Sequence, residues 1–265
     1  MIKVKNEHEI EMMRKACKIV ADTLTLVGKS IKIGITTKEL DDIAYKFIIS
    51  QGAYPSFLNY DGFPASICAS VNEAVVHGIP NDYALQDGDI VGIDIGACYK
   101  GFHGDAARTF CVGNVNENVK KLVKETRESF YKGIDGLKPG DRVGTISNRI
   151  EKHIKQFGYG IVRELVGHGV GKNLHEDPQI PNYGSSNSGE VIPPNCTLAI
   201  EPMINLGTRQ IYLLSDNWTV ITRDRKPSAH YENTILVTND GVEILTLQDG
   251  EGRYDEVWYR CNCAK

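Results

Sequence analysis

A single acid in the middle of an apolar segment constrains this chain more than any other feature. Residues 90–96 read IVGIDIG, which is typical of a buried strand, and Asp94 is the only charged residue among them. An ionised carboxylate is costly to bury unless a counter-charge or a metal ion lies beside it. The chain must therefore fold so that a cation reaches the middle of a core strand.

The next segment brings a second acid back toward the first. The sequence turns near Tyr99 and Lys100 and returns through residues 102–105, which end at Asp105. If the turn is a tight hairpin, Asp94 and Asp105 become direct cross-strand neighbours, with Cβ atoms ~4.5–5.5 Å apart. Two carboxylates this close repel each other unless a cation separates them, so the pattern predicts a site for one or two divalent metals. The alternative is a surface hairpin with two solvated acids, and the apolar residues around Asp94 argue against it.

Apolar residues at helical spacing predict two helices before this hairpin. The first covers about residues 6–27, and Gly28 is expected to stop it. The second follows Thr36, where Glu39 completes a capping box.

The same arrangement recurs later in the chain, with helices from about residue 116 and after residue 140. This recurrence predicts two related α-α-β halves, although any two amphipathic helices can be aligned to some degree. The positions that match at one constant offset are Gly34, Leu40, Ala44, Ile48 and Gly52 against Gly140, Ile146, Ile150, Ile154 and Gly158.

Strand-like segments follow each helix pair, and clusters of Gly, Pro, Asn and Asp separate them. The predicted class is α+β, an antiparallel-rich sheet with helices on one face. The strand candidates cover residues 67–71, 90–99, 106–112, 198–201, 218–222 and 230–237.

Three further side chains could join the two acids at a metal. His168 lies in the segment LVGHGVG, whose small residues let a metal or substrate approach the backbone closely. Glu201 and Glu232 each stand alone in strand-like sequence. Individually, the His could be an ordinary hydrogen-bonded residue and each Glu could face solvent. Together with the two Asp they form an oxygen-rich set, which suits Mn(II), Fe(II) or Co(II) better than structural zinc. Such a pair of ions can activate a water, for which peptide hydrolysis is one use.

These ligands and their flanking motifs resemble the pita-bread metallopeptidases, and within them the methionine aminopeptidases of the short bacterial type. The resemblance covers roughly residues 7–246 and implies one catalytic domain over residues 1–247. A tail over residues 248–265, in which Cys261 and Cys263 form a Cys-x-Cys pair, continues past it. It implies a curved, antiparallel-rich sheet with helices on its outer face and two pseudo-symmetric halves. It also implies an enzyme that removes the initiator methionine when the second residue is small, through a metal-activated water that attacks the scissile carbonyl. The motifs lie at residues 72–80, 92–96, 101–105, 167–171, 200–202 and 231–234.

The resemblance also implies a role for each ligand. Asp94 would bind one of two divalent ions (Co²⁺, Mn²⁺, Fe²⁺ or Zn²⁺), and Asp105 and Glu232 would bridge the pair. His168 and Glu201 would complete the shell of the second ion, and Glu201 would also shuttle a proton.

Other residues would contact the substrate. His77 and His175 would be catalytic and substrate-binding, and His175 would stabilise the developing oxyanion. Phe57, Leu174 and Asp61 depart from the residues frequent at their positions in bacterial relatives, so they put the shape of the pocket in question. The implied methionine pocket consists of Tyr60, Phe63, Cys68 and Trp218. The positions that match a monovalent-cation site for Na⁺ or K⁺ are Asn72, Ala74 and Ser228.

Composition restricts the partners. The formal net charge is -4, and Lys and Arg are scattered, so nothing favours nucleic acid or an anionic membrane as the main partner. No apolar run approaches the ~20 residues that span a bilayer. The seven Cys lie mostly in apolar segments, which predicts free thiols and a reducing, cytoplasmic location. The expected partners are the N-termini of nascent proteins and peptides, including those at the ribosome, and the expected state is a monomer.

Two alternatives remain open at this point. An X-Pro aminopeptidase or prolidase would share the fold, but such relatives usually carry an additional N-terminal domain, for which this chain has no room. A non-catalytic binding protein of the same fold would lack several of the metal ligands, and all five are present here.

Overall fold

Two pairs of α-helices lie along residues 1–248, the part of the chain that the computed structural model describes. The first two begin at capping boxes, one formed by Asn6 with Glu9 and the other, as predicted, by Thr36 with Glu39. These caps satisfy backbone N–H groups that have no partner within the helix. The helices are α1 (Glu7–Ser30), α2 (Thr37–Ser50), α3 (Glu117–Ile134) and α4 (Val143–Lys155).

Gly28 does not stop the first helix, and that prediction is wrong. The helix continues to Ser30 and ends where the Ile31 N–H bonds back to Val27 and Gly28. A Cβ at Gly28 would lie 2.7 Å from Cε1 of Phe110. The glycine is therefore explained by the close approach of an aromatic ring, which the chain sequence alone does not reveal.

The predicted repeat is visible in backbone geometry. Gly34 and Gly140 have φ of 89° and 93°, and Gly52 and Gly158 have φ of 70° and 71°. Each glycine pair thus adopts the same left-handed conformation, which side chains disfavour. The apolar residues between them are fully buried in both halves, namely Leu40, Ala44 and Ile48 in one and Ile146, Ile150 and Ile154 in the other.

The first half contains a sheet built around a long hairpin. In this sheet β1 and β2 both pair with β4, in the order β1-β4-β2. The β5 strand also pairs with β4, along ten antiparallel residue pairs. The α1 and α2 helices cover this sheet, and the core between them includes Val20, Leu24 and Ile93. The strands are β1 (Tyr54–Pro55), β2 (Ile67–Val71), β3 (Ala74–Val76), β4 (Ile90–Tyr99) and β5 (Phe102–Cys111).

The second half contains a five-stranded sheet of order β15-β14-β9-β7-β8 and a three-stranded sheet of order β13-β10-β6. A further sheet, β11-β12-β3, takes its last strand from the first half. The strands are β6 (Gly160–Ile161), β7 (Gly167–Gly169), β8 (Glu176–Ile180), β9 (Cys196–Ile200), β10 (Met203–Asn205), β11 (Ile211–Leu213), β12 (Val220–Thr222), β13 (Ser228–His230), β14 (Asn233–Thr238) and β15 (Gly241–Ile244).

The two halves join at a backbone pair between Ala107 and Glu232. Glu232 N–H donates to the Ala107 carbonyl at 2.9 Å, and Ala107 N–H donates to the Glu232 carbonyl at 3.3 Å. The strand predicted over residues 230–237 is divided here into β13 and β14. The interruption lets Glu232 pair with β5 instead of with its neighbours in the second half.

The chain segment after β15 returns to the first helix. Gln248, predicted as the first residue of the tail, is buried and donates to Ala21 O at 3.2 Å and to Thr25 Oγ1 at 2.8 Å. The remainder of the predicted tail, with Cys261 and Cys263, lies outside the described residues. Among residues 1–248, no helix is both long and apolar enough to cross a membrane.

Candidate metal centre and substrate pocket

The β4–β5 hairpin places two acids on one face of the first sheet. Asp94 lies opposite Ala107, and Asp105 lies opposite Gly96. The predicted direct opposition of Asp94 and Asp105 is therefore wrong, because the two acids are diagonal neighbours. Diagonal neighbours on one face remain close enough for longer-range contact.

The position of the turn explains this difference. The hairpin turns at Lys100 and Gly101, which have φ of 49° and 82°, and Tyr99 pairs with Phe102. Two successive residues at positive φ are typical of the tight turn that fits twisted hairpins. The turn lies one residue later than predicted, and this shift changes the register by two residues. Because side chains alternate with a period of two, both acids keep the predicted face.

Glu232 approaches the same face from the second half. Its backbone pairs with Ala107, which in turn lies opposite Asp94, so the three residues form one row across the joined strands. The fully buried Arg108 guanidinium donates to the Glu232 carbonyl. Thr234 exchanges side-chain hydrogen bonds with the backbone of Asp105. These contacts with the main chain fix the positions of Asp105 and Glu232 relative to each other.

His168 and Glu201 complete the cluster from the five-stranded sheet. His168 lies in β7 opposite Ala199 of β9, and Glu201 follows the end of β9. The Nε2 atom of His168 is 3.6 Å from Glu201 Oε1 and 3.9 Å from Asp105 Oδ2. Its Nδ1 atom contacts the Gly169 carbonyl at 2.9 Å, an arrangement that orients the ring and leaves Nε2 directed at the acids.

Burial dominates the electrostatics of this cluster. It raises the pKa of Asp94 to about 7 and the pKa of Glu201 to about 8. It also raises the pKa values of Asp105 and Glu232 well above their usual range, and neighbouring carboxylates raise them further. Without a cation, carboxylates packed in this way resist ionisation.

The donor atoms of the cluster fit divalent metal ions. The buried oxygens Asp94 Oδ1 and Asp105 Oδ1 have no hydrogen-bond partner, and such orphaned atoms require an explanation in a folded protein. One ligand atom each from Asp105, His168 and Glu232 lie within 4.8 Å of one another. Carboxylate oxygens combined with imidazole nitrogen are donors that Mn, Fe, Co and Zn ions accept.

His230 belongs to the same cluster, although it was not among the predicted site residues. It ends β13, is only 4% exposed, and lies opposite Met203. Its Nε2 atom is 3.6 Å from Glu201 Oε2 and 3.8 Å from Glu232 Oε2. The sequence contains a signal for this position. Residues two apart in strand-like sequence share a face, and His230 precedes Glu232 by two, so the two side chains are expected on the same face.

An apolar cavity of about 250 Å³ opens beside the acids. The rings of Phe63 and Trp218 pack edge to face with centroids 5.1 Å apart. Cys68 of β2 lies opposite Asp94 of β4, so the pocket is directly adjacent to the acid cluster. The residues predicted for the methionine pocket all line this cavity, and so do Phe57, Asp61 and Leu174.

Two imidazoles border the cavity next to its aromatic residues, with His77 edge to face with Trp218 and His175 edge to face with Tyr60. His175 lies 4.4 Å from His168 between ring centroids, and its Nδ1 is 2.8 Å from the Tyr60 hydroxyl. Burial lowers the pKa of His77 to about 4 and also lowers the pKa of His175. Both rings are therefore neutral near pH 7 and can act as hydrogen-bond partners without adding charge.

A second groove of about 540 Å³ continues from the same imidazoles. It shares His77, His168, His175 and Glu201 with the apolar cavity. The cluster thus lies between a largely apolar pocket and a more polar groove, whose further lining includes Asn173, Gln179 and Met203.

The predicted monovalent-cation residues lie outside the acid cluster, near the start of β4 at Ile90. The Asn72 carbonyl accepts the Ser228 N–H at 2.9 Å, and the Asn72 side chain bonds to Asp89 and to the Ile90 N–H. Ala74 lies in β3, which contacts the strand of Ser228. The structure brings these elements together, and a cation there stays a prediction.

Comparison with known proteins gives one consistent result. The model of metallopeptidase family M24 matches residues 11–239. A methionine aminopeptidase of Clostridium perfringens is 52% identical over 247 residues, which cover 93% of this chain and 99% of that protein.

Solved structures agree with this match. The crystal structure of a methionine aminopeptidase from Thermotoga maritima superposes with a TM-score of 0.91 at 44% identity, covering 93% of this chain and 99% of that one. A prolidase from Pyrococcus furiosus gives a TM-score of 0.76 at 26% identity, and the match covers only 65% of its length. The predicted pita-bread fold is thereby confirmed, and the chain belongs to metallopeptidase family M24.

Proposed function

We propose that this protein is a metal-dependent aminopeptidase that removes the N-terminal methionine from proteins and peptides whose second residue is small. The observation that carries the proposal is the apolar cavity that ends on the acid cluster. Its aromatic and thiol lining suits an unbranched thioether side chain. The methionine aminopeptidases among the relatives support the same substrate.

The acid cluster would hold two divalent ions, of the kinds Co²⁺, Mn²⁺, Fe²⁺ or Zn²⁺. Asp94 would bind one ion, Asp105 and Glu232 would bridge, and His168 and Glu201 would bind the other. Four carboxylates and two dications balance in charge, which relieves the repulsion that raises the pKa values of the metal-free cluster. When bound, such ions supply Lewis acidity and a nucleophilic water.

Side chains around the cluster would orient the peptide and move its protons. The Tyr60 hydroxyl can donate to His175 Nδ1, which leaves the proton on Nε2 for donation to the developing oxyanion. Glu201, at the end of β9 between the ions and the groove, is the group that would accept a proton and return it to the leaving amine.

The geometry also favours a small second residue. The peptide would pass from the pocket into the groove between His77 and His175, which line both. A large side chain directly after methionine would meet one of these rings. A monovalent ion, Na⁺ or K⁺, would bind at Asn72, Ala74 and Ser228, which line neither the pocket nor the groove.

We further propose that the enzyme acts as a cytoplasmic monomer on nascent chains, including those at the ribosome. Four cysteines in the described residues, Cys17, Cys68, Cys98 and Cys196, are free thiols, which supports a reducing compartment. Three of them, Cys17, Cys68 and Cys196, are buried, and burial raises the pKa of each thiol.

The test is hydrolysis of Met-Ala-Ser against Ala-Pro and Gly-Pro peptides by chelator-stripped protein with Mn(II), Co(II) or Fe(II) added back. We expect cleavage of Met-Ala-Ser that depends on the added ion. Cleavage of the proline peptides alone would sink the proposal in favour of an X-Pro peptidase. His153→Gln is a suitable control, because His153 pairs with Glu125 between α3 and α4 and is not among the residues that line the pocket or the groove.

A further inference from the structure

His230 lies inside the acid cluster, and two hydrogen bonds hold its backbone in place. Its backbone N–H donates to Thr109 Oγ1 at 2.9 Å, and the same hydroxyl donates back to the His230 carbonyl at 2.9 Å. The residue is 4% exposed, and its buried Nε2 atom has no hydrogen-bond partner. A buried polar atom in this position requires a partner that the protein itself does not supply.

The distances around Nε2 match those of the other imidazole. His230 Nε2 is 3.6 Å from Glu201 Oε2, and His168 Nε2 is 3.6 Å from Glu201 Oε1. Both separations exceed the ~2.7–3.2 Å of a good hydrogen bond. The 3.8 Å between His230 Nε2 and Glu232 Oε2 and the 3.6 Å between His168 Nε2 and Glu201 Oε1 each fit two atoms that share one ion, because ligands ~2.0–2.2 Å from a metal lie about 3–4 Å from each other. The Glu201 carboxylate lies between the two imidazoles.

A second group of donors forms around His230. One ligand atom each from Asp94, His230 and Glu232 lie within 4.8 Å of one another, separate from the group of Asp105, His168 and Glu232. The two groups share only Glu232, which is the arrangement expected where one carboxylate bridges two ions.

We propose that His230 is a direct ligand of the ion held by Asp94 and Glu232, so that each ion of the pair has its own imidazole. This inference rests on the proposed dinuclear site. It changes the donor set from one imidazole to two. Imidazole nitrogen suits Fe, Co and Zn better than Mg or Mn, so the Asp94 position would be more selective for those ions than an all-oxygen site.

The main competing role is a hydrogen bond from His230 to Glu201 that positions the carboxylate. His230→Gln separates the two roles, because glutamine can donate a hydrogen bond but is a weak ligand for these ions. Loss of an outer-shell partner typically lowers metal affinity ~10–100-fold, whereas we expect loss of a direct ligand to exceed 100-fold at one of the two binding steps.

The experiment measures Co(II) binding without any peptide. Chelator-stripped wild type, His230→Gln and His168→Gln are titrated with Co(II) by calorimetry, and X-ray absorption at two equivalents counts the imidazoles bound. We expect two imidazoles per two Co(II) in the wild type and one in each variant. His153→Gln is the control and is expected to bind as the wild type does.

A wild type with one imidazole per two Co(II) would overturn the proposal, and so would unchanged affinity in His230→Gln. The wild-type count decides the question even if the variant fails to fold. Two Co(II) bound with a single imidazole would leave the aminopeptidase intact and refute only the role of His230. If no Co(II) binds, the proposed function fails as well.

Discussion

Removal of the metals should make the stability of this protein fall steeply with rising pH, and replacement of Asp94 by asparagine should weaken that fall. In the folded, metal-free protein burial raises the pKa of Asp94 from 3.8 to about 7. Between these values the unfolded chain has lost this proton while the folded protein retains it. The contribution of Asp94 to stability therefore decreases as pH rises from 3.8 and is fully lost above about pH 7.

The magnitude follows from the size of the shift. A shift of about 3 pKa units corresponds to about 4 kcal/mol at ~1.4 kcal/mol per unit. This is an upper bound, since Asp94 keeps some exposure to the cavity. For a domain of this size, about 4 kcal/mol corresponds to a change in melting temperature of roughly 8–16 °C.

Thermal unfolding of chelator-stripped wild type and Asp94→Asn between pH 5 and pH 9 provides the assay. We expect the variant to melt above the wild type at pH 8, although it has lost a proposed metal ligand. With Mn(II) added, the order should reverse, because the wild type gains binding energy that the variant lacks. A melting temperature of the stripped wild type that stays constant from pH 5 to pH 9 would refute the reasoning.

Three further outcomes are expected. Asp105→Ala and Glu232→Ala should each abolish turnover of Met-Ala-Ser by removing a proposed bridge, and full activity in either would contradict that role. Trp218→Ala should lower kcat/KM about 10–100-fold, mainly through KM, because a pocket-lining aromatic side chain contributes about 2 kcal/mol or more to binding. An unchanged KM would argue against the proposed pocket. The affinity of the variant for Co(II) serves as the control and should equal that of the wild type. Gly28→Ala should destabilise the fold by about 1–3 kcal/mol in denaturant unfolding, because the added Cβ meets the Phe110 ring; wild-type stability would show that the ring moves freely.

Local sequence patterns predicted much of the fold. The bounds of β4 follow from an apolar run between two turn signals, and the cap of α2 follows from Thr36 and Glu39 at the spacing of a capping box. The repeat was readable because its glycines meet the same backbone requirement in both halves. In each case the physical cause lies within a few residues of the signal.

The wrong predictions concern features that depend on contacts with distant parts of the chain. Gly28 reads as a helix stop, but Phe110 determines why a glycine is there. The interruption before Asn233 depends on pairing between Glu232 and Ala107, which local strand propensity does not reveal. Local spacing relates His230 only to Glu232, and its proximity to Glu201 arises when β13 pairs with β10, the strand that follows Glu201.

The pairing of Ala107 with Glu232 has a consequence for the order of events during synthesis. Asp94 and Asp105 precede the second helix pair, whereas Glu232 emerges after almost all of the described chain has been made. A nascent fragment that stops before Glu232 therefore lacks the proposed bridging carboxylate and the backbone pair that aligns it. We expect such incomplete copies of the protein to be unable to hydrolyse the peptides around them.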